Sequence, residues 1–266
     1  MRLSVFALVC LFLTACATRE KGRERISFNK EWRFALTEKQ ANASAPDTDD
    51  SNWRVLNLPH DWSIEADFSL DNPATPGGGA LPGGMGWYRK HFKLSESDKG
   101  KVIYIDFDGV YRNSRVWLNG HLLGFRPNGY VSFRYDLTPY LNYGKEENVL
   151  VVQADNSDQP NSRWYSGAGI FRSIELLHMP KLHIASDGIF GYTKSIEYDT
   201  LGNPVCAYLH TEVELQNETL ENKMALVEVF LTKDGSDEVL LSRKQKMQIN
   251  PNTTDTAYLN LTLENP

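Results

Sequence analysis

The 266-residue sequence predicts an all-β fold of two successive antiparallel sandwiches. Three observations predict it. Short apolar runs alternate with turn residues along nearly the whole chain, several of them with a period of two. Asn119-Gly120 sits between two such runs, and a two-residue hairpin turn needs positive φ at both central positions, which Asn and Gly tolerate best. Outside the apolar stretch near Met1, no run of ten or more residues carries a helical period, and Leu137–Leu141 is long enough for only one short turn. Many short strands with regular turn signals point to a jelly roll or a related sandwich.

Residues 1–16 stand apart from the fold. Arg2 precedes the apolar stretch Leu3 to Leu13, which is too short to span a bilayer as a mature helix. It ends in Leu13-Thr14-Ala15-Cys16, which resembles a bacterial lipobox. The resemblance implies cleavage before Cys16, lipidation of that cysteine, and a membrane-anchored lipoprotein of the periplasm or outer membrane. The alternative is an ordinary secretory signal in which Cys16 is incidental. Losing Arg2 leaves 27 of the 28 basic residues against 34 acidic ones, so the net charge moves from −6 to −7. Cys10 leaves with the leader and Cys16 carries lipid, so Cys206 stands alone and no disulfide is expected within the mature chain. The sequons at Asn42, Asn217, Asn252 and Asn260 are chance matches in a bacterial lipoprotein. Residues 17–25 are charged and read as a short tether.

The first sandwich is expected over 26–179. It opens at Ile26-Ser27-Phe28-Asn29 and runs through Trp32-Arg33-Phe34 and a polar loop from Asn42 to Asn52. Strands are predicted at Trp53–Leu58, Gly86–Leu94, Lys101–Phe107, Ser114–Leu118, His121–Phe125, Val131–Asp136 and Asn148–Asp155. In the third of these one face carries Ile103, Ile105 and Phe107 and the other Val102, Tyr104 and Asp106. A boundary falls at Met179-Pro180. Beyond it, Leu182–Ser186, Ile189–Ser195, Ala207–Glu214, Ala225–Thr232, Gln245–Ile249 and Thr256–Leu263 predict a second sandwich over 180–266, richer in Val, Leu and Thr and poorer in aromatics. Eighty-seven residues are fewer than the roughly 100 of an immunoglobulin-like sandwich, and the expectation is a domain cut short.

The charge balance excludes some functions. A phosphate-binding surface needs clustered Lys and Arg, and no run here supplies one, so nucleic acid is not an expected partner. Gly77 to Gly86 is not followed by a helix or a lysine-threonine pair, so it does not read as a phosphate cradle. Its glycines permit a tight fold or a close approach to another domain. His60-Asp61 without a serine or cysteine motif reads as a buried, hydrogen-bonded structural pair rather than a catalytic relay. Trp164-Tyr165 admits two readings, a stacking face for a pyranose or core packing. Arg163 and Asn161 beside it favour a loop. Asp106 and Asp108, near a strand end, read as turn formers, and Asn217-Glu218 as a chance dipeptide.

Four segments, in order, resemble the sugar-binding domain of family 2 glycoside hydrolases. They are Asn29–Phe34 followed by Leu58-Pro59-His60-Asp61-Trp62; the glycine-rich Pro76–Gly86 leading into Trp87–Phe92; Phe107–Tyr111 running on to Val116–His121 and Gly124; and Asn148–Val152 followed by Arg163–Arg172. The second half resembles, less specifically, the family's immunoglobulin-like domain. The resemblance implies a jelly roll and, in the whole protein, a retaining exo-glycosidase acting on β-linked galactosides or glucuronides. It places both catalytic carboxyls in a barrel outside this chain, the acid/base after an asparagine, so no catalytic residue is expected here. Substrate contact, if any, is expected from Arg163, Trp164, Tyr165, His60 and Asp61. Family members carry an acidic residue where this chain has Arg163, a change that suits an anionic sugar or a barrel carboxylate. No metal or cofactor is expected from this chain, although family enzymes use Mg²⁺ or Na⁺ and associate into homo-oligomers. The rival readings are a stand-alone carbohydrate-binding lipoprotein and a structural adhesion module.

Overall fold

The structure is a computed structural model that describes residues 22–37 and 43–266. The expectations placed on the 1–16 leader, on Cys16, on residues 17–21 of the tether and on the Asn42 sequon lie outside the described residues.

The first sandwich has two sheets. One orders β1 (Glu24–Ser27), β10 (Ile174–Met179), β5 (Val102–Phe107) and β8 (Phe133–Asp136). The other orders β3 (Arg54–Leu56), β2 (Trp32–Leu36), β4 (Gly84–Phe92), β9 (Asn148–Asn156), β6 (Ser114–Leu118) and β7 (His121–Arg126). Every pairing is antiparallel. The period-two pattern sets what faces inward. Ile103, Ile105 and Phe107 of β5 meet Val116, Leu118, Leu150 and Val152 from the opposite sheet, all fully buried. Each such side chain stabilises the fold by roughly 1.5–3 kcal/mol over leaving it exposed. Phe107 also stacks on Phe133, centroids 4.8 Å apart.

The six-stranded sheet has a second buried face. Trp87, Val149 and Val151 lie under the 43–53 loop with Ala43 and Trp53. Arg89 pins that loop. Its side chain is fully buried, with Nε 2.7 Å from Asp50 and Nη1 donating to the carbonyls of Ala43 and Ala45 at 2.7 and 2.8 Å. Asp50 also accepts from Arg33 at 2.7 Å and pairs with His91 at 2.7 Å; burial raises its carboxyl, but His91 and Arg89 outweigh that and hold it below the usual range.

The second sandwich packs β11 (Leu182–Tyr198), β12 (Pro204–Asn217) and β15 (Thr253–Glu264) against β13 (Lys223–Thr232) and β14 (Val239–Ile249). Its core is Val213, Leu215, Val227, Ile249, Ala257 and Leu259. The two sandwiches meet at Glu218. Its Oε1 accepts from the Tyr104 hydroxyl at 3.0 Å and from Gln216 Nε2 at 2.9 Å, and its backbone N–H donates to the Lys181 carbonyl at 2.8 Å. Arg134 donates across the junction to Ser186 Oγ.

Four expectations need correction. The tether does not reach residue 25, because Glu24 and Arg25 already pair with β10 as a charged, exposed edge strand. β10 itself was not among the predicted strands. Leu182–Ser186 and Ile189–Ser195 are one strand, interrupted by a bulge where Asp187 adopts φ 54°. Asp106 is no turn former, since it sits in β5 and pairs with Arg134 of β8, Oδ2 to Nη2 at 2.6 Å. Asn217, of the chance dipeptide Asn217-Glu218, is fully buried and donates to the carbonyls of Glu221, Ile249 and Asn250.

Candidate functional site

The 57–83 loop after β3 and the 157–173 loop after β9 meet at one end of the jelly roll. Asn156, buried where β9 ends, organises the second loop. Its Nδ2 donates to the Gly167 carbonyl at 3.2 Å, while its Oδ1 accepts from Gln159 at 2.9 Å and Asn161 at 2.6 Å. Ser162 and Ser166 close the tip, their hydroxyls 2.8 Å apart. Between them stand Arg163, Trp164 and Tyr165. Trp164 is 64% exposed and Tyr165 39%. Arg163 is exposed and makes no hydrogen bond or ion pair among the described residues.

Tyr165 joins the two loops. Its hydroxyl donates to Asp61 Oδ2, and Asp61 Oδ1 accepts from the Ser63 backbone N–H at 3.0 Å. Burial and the neighbouring carboxylate push the phenol well up, so it stays protonated and donating. Its ring rests against Gly79, at φ 93°, where an added Cβ would lie 3.5 Å from it. The glycine-rich segment thus approaches its own domain. At Gly83 and Gly86 the approach is closer still, since a Cβ would stand 2.4 Å from the Asn156 carbonyl at the first and 2.4 Å from the Trp62 ring at the second. Trp62 stacks on Phe34 at 5.8 Å and donates to the Gly83 carbonyl at 3.1 Å.

His60 lies beneath this surface. Arg54 Nη2 is 2.6 Å from His60 Nε2, and a guanidinium only donates, so Nε2 accepts and the proton sits on Nδ1, facing the Tyr88 hydroxyl at 2.8 Å. Burial holds His60 below its ordinary pKa, which agrees with a neutral ring. The expectation of sugar contact from His60 is therefore corrected: it is 8% exposed, and both ring nitrogens are engaged by protein groups. Trp164 and Tyr165 are on the surface rather than in the core, with Arg163 beside them and Asp61 underneath. Sequence reasoning missed Asn156, Ser63 and Tyr88. The amide cluster Asn156, Gln159 and Asn161 just past a predicted strand end was the available signal for the first.

The cleft between the loops measures only about 10 Å³, at the limit for one water. That space is too small for a pyranose; at the outer rim an indole and a phenol present faces of the kind that suit C–H stacking, beside the charge of Arg163. Asp61, already accepting two hydrogen bonds, is a positioning group. Among the described residues no three His, Cys, Asp or Glu side chains converge to hold a metal ion.

Comparison with known proteins agrees with this architecture. The sugar-binding domain of glycosyl hydrolases family 2 matches residues 26–180. A β-galactosidase of Bacteroides ovatus is 48% identical over 217 residues, covering 81% of this chain and 25% of that protein. A putative β-glucuronidase of Formosa agariphila is 42% identical over 193 residues, 71% of this chain and 18% of its own length. The chain thus spans a quarter or less of these curated relatives. Among solved structures, a glycosyl hydrolase family 2 member from Bacteroides cellulosilyticus superposes with a TM-score of 0.81 at 30% identity over 91% of this chain and 31% of its own. A β-glycosidase from Bacteroides vulgatus gives 0.78 at 36%, over 91% of this chain and 29% of its own. With its family model covering more than half the chain and a loop-borne aromatic surface at the end of that jelly roll, the protein belongs to glycosyl hydrolases family 2.

Proposed function

We propose that this chain is the non-catalytic front part of an exported, lipid-anchored retaining exo-glycosidase that acts on terminal β-galactosides or β-glucuronides. A barrel outside this chain supplies the paired carboxyls that retention requires, about 5–5.5 Å apart. The jelly roll completes one wall of the pocket. The observation that carries this reading is the tip at Arg163–Tyr165: exposed aromatic faces and an unpaired guanidinium, braced on Asp61, in a domain of the sugar-binding type. The names of the relatives, a β-galactosidase and a putative β-glucuronidase, support the substrate class. Leu13-Thr14-Ala15-Cys16 supports the anchor.

The test uses the full-length protein and this chain side by side on aryl β-galactosides and β-glucuronides. The full-length protein should turn over one of them and the chain neither. Arg163→Ala in the former should raise KM more than it lowers kcat, because a wall contact binds ground and transition states alike. Cys16→Ser should release the protein from the membrane fraction. Turnover by the chain alone, or by neither, defeats the reading. The exposure of Trp164 also suits a stand-alone sugar-binding lipoprotein. Saccharide binding by the chain that vanishes with Trp164→Ala would favour that second reading.

A further inference from the structure

A concavity far larger than the cleft between the loops lies away from them. It is a cleft of about 580 Å³ at the junction of the two sandwiches, beside the β10–β11 corner. Four lysines line it: Lys99, Lys101, Lys181 and Lys223. Lys101 is paired with Asp98 at 2.8 Å and Lys223 with Glu221 at 2.9 Å. Lys99 and Lys181 have no ion pair among the described residues, and Glu24 is the one acidic group in the lining. An excess of cations here stands out in a chain whose net charge is −6. Low-dielectric walls around a cleft with an excess of one sign concentrate its field and draw in counter-ions.

Two further features say what kind of counter-ion fits. Pro180 and Leu182 give the cleft an apolar side, and its volume falls in the range of small-molecule sites, far above that of an inorganic ion. His178 also lines the cleft. It is 5% exposed, its Nδ1 lies 3.4 Å from Asp98, and its Nε2 has no hydrogen-bond partner among the described residues. That ring nitrogen is buried at the wall of the cleft and short of one hydrogen bond.

We propose that this junction cleft binds a small acidic saccharide, its anion held by Lys99 and Lys181 and its ring against Pro180 and Leu182. The site is separate from the Trp164 loop and does not depend on the glycosidase reading. Titration calorimetry of the chain with glucuronate, glucose 6-sulfate, glucose and inorganic sulfate tests it. One or both acidic sugars should bind, more weakly as salt rises, and the preferred one identifies the acid. Glucose should not bind, and sulfate should bind more weakly. Lys99→Ala with Lys181→Ala should weaken binding about five- to thirtyfold, two ion contacts' worth, with an unchanged melting temperature. NMR shifts should map to the 97–101 turn and to His178. Glucose binding as well as the acids, indifference to the double variant, or loss of binding with Trp164→Ala would overturn the proposal. Sulfate binding as tightly as the sugars would overturn the saccharide assignment.

Discussion

Among the described residues, the jelly roll gathers twenty-two buried hydrophobic side chains into one cluster, with Trp32, Tyr88 and Phe107 among them. The second sandwich, whose strands run to 17 residues, gathers six, none aromatic. Strand length therefore does not track burial. In β5 six residues bury four side chains, whereas β11 buries two over its whole length. The difference follows from what lies opposite: six strands cover four in the first sandwich, while two cover three in the second. The jelly roll also protects an outer face, through the 43–53 loop and Arg89, and the second sandwich leaves Phe190, Tyr192 and Tyr258 exposed.

That contrast can be broken by mutation. Arg89→Met should cost the most, about 3–5 kcal/mol by urea unfolding, because it strips a buried partner from Asp50 and abandons the loop carbonyls. A loss under about 1 kcal/mol would confine the jelly roll's advantage to its inner core. Next, Leu118→Ala should cost about 3–4 kcal/mol and Leu259→Ala about 2–3, since only the first is enclosed on all sides. Equal losses would erase the contrast.

Acidification should act on both halves more gently. Burial lowers the pKa of His60 and His178 in the jelly roll and of His183 at the start of β11. As pH falls through the unfolded value of 6.5, the unfolded chain takes up protons that the folded rings resist. Stability is thus complete above that value and declines below it. The melting temperature should fall between about pH 7.5 and about pH 5.5. A flat profile would mean that all three rings protonate as readily folded as unfolded. The smallest effect belongs to Tyr165→Phe, which forfeits one hydrogen bond to Asp61, about 0.5–1.5 kcal/mol. It should raise the mobility of Trp164 in fluorescence anisotropy while leaving the core intact. A change as large as that of Leu118→Ala would show that the loop brace is part of the core.

Much of this was legible in the sequence, and the failures are physical. β6 begins and ends where its alternation does, and Asn119-Gly120 turns the chain with both residues at positive φ. β10 escaped because Leu176, Leu177, His178 and Met179 are all buried, which leaves no alternation to read. β1 escaped because an exposed edge strand can be wholly polar. The β11 bulge carries Asp187-Gly188, a turn signal in any local reading. At the site, Trp164-Tyr165 was visible as an aromatic pair, but whether it faced solvent depended on the bonds Asn156 makes within its own loop and on Gly79, which is distant in sequence.

The contact at Glu218 has a mechanical consequence. β11 leaves the junction as an arm of 17 residues, roughly 50 Å at about 3.3 Å per residue. Over that length a tilt of only about 5° at the junction carries the far hairpin some 4 Å, about the width of one strand spacing. The hydrogen bonds of Tyr104, Gln216 and the Lys181 carbonyl to one glutamate thus work as the bearing of a lever, and their tolerance sets where Tyr198 and its turn come to rest.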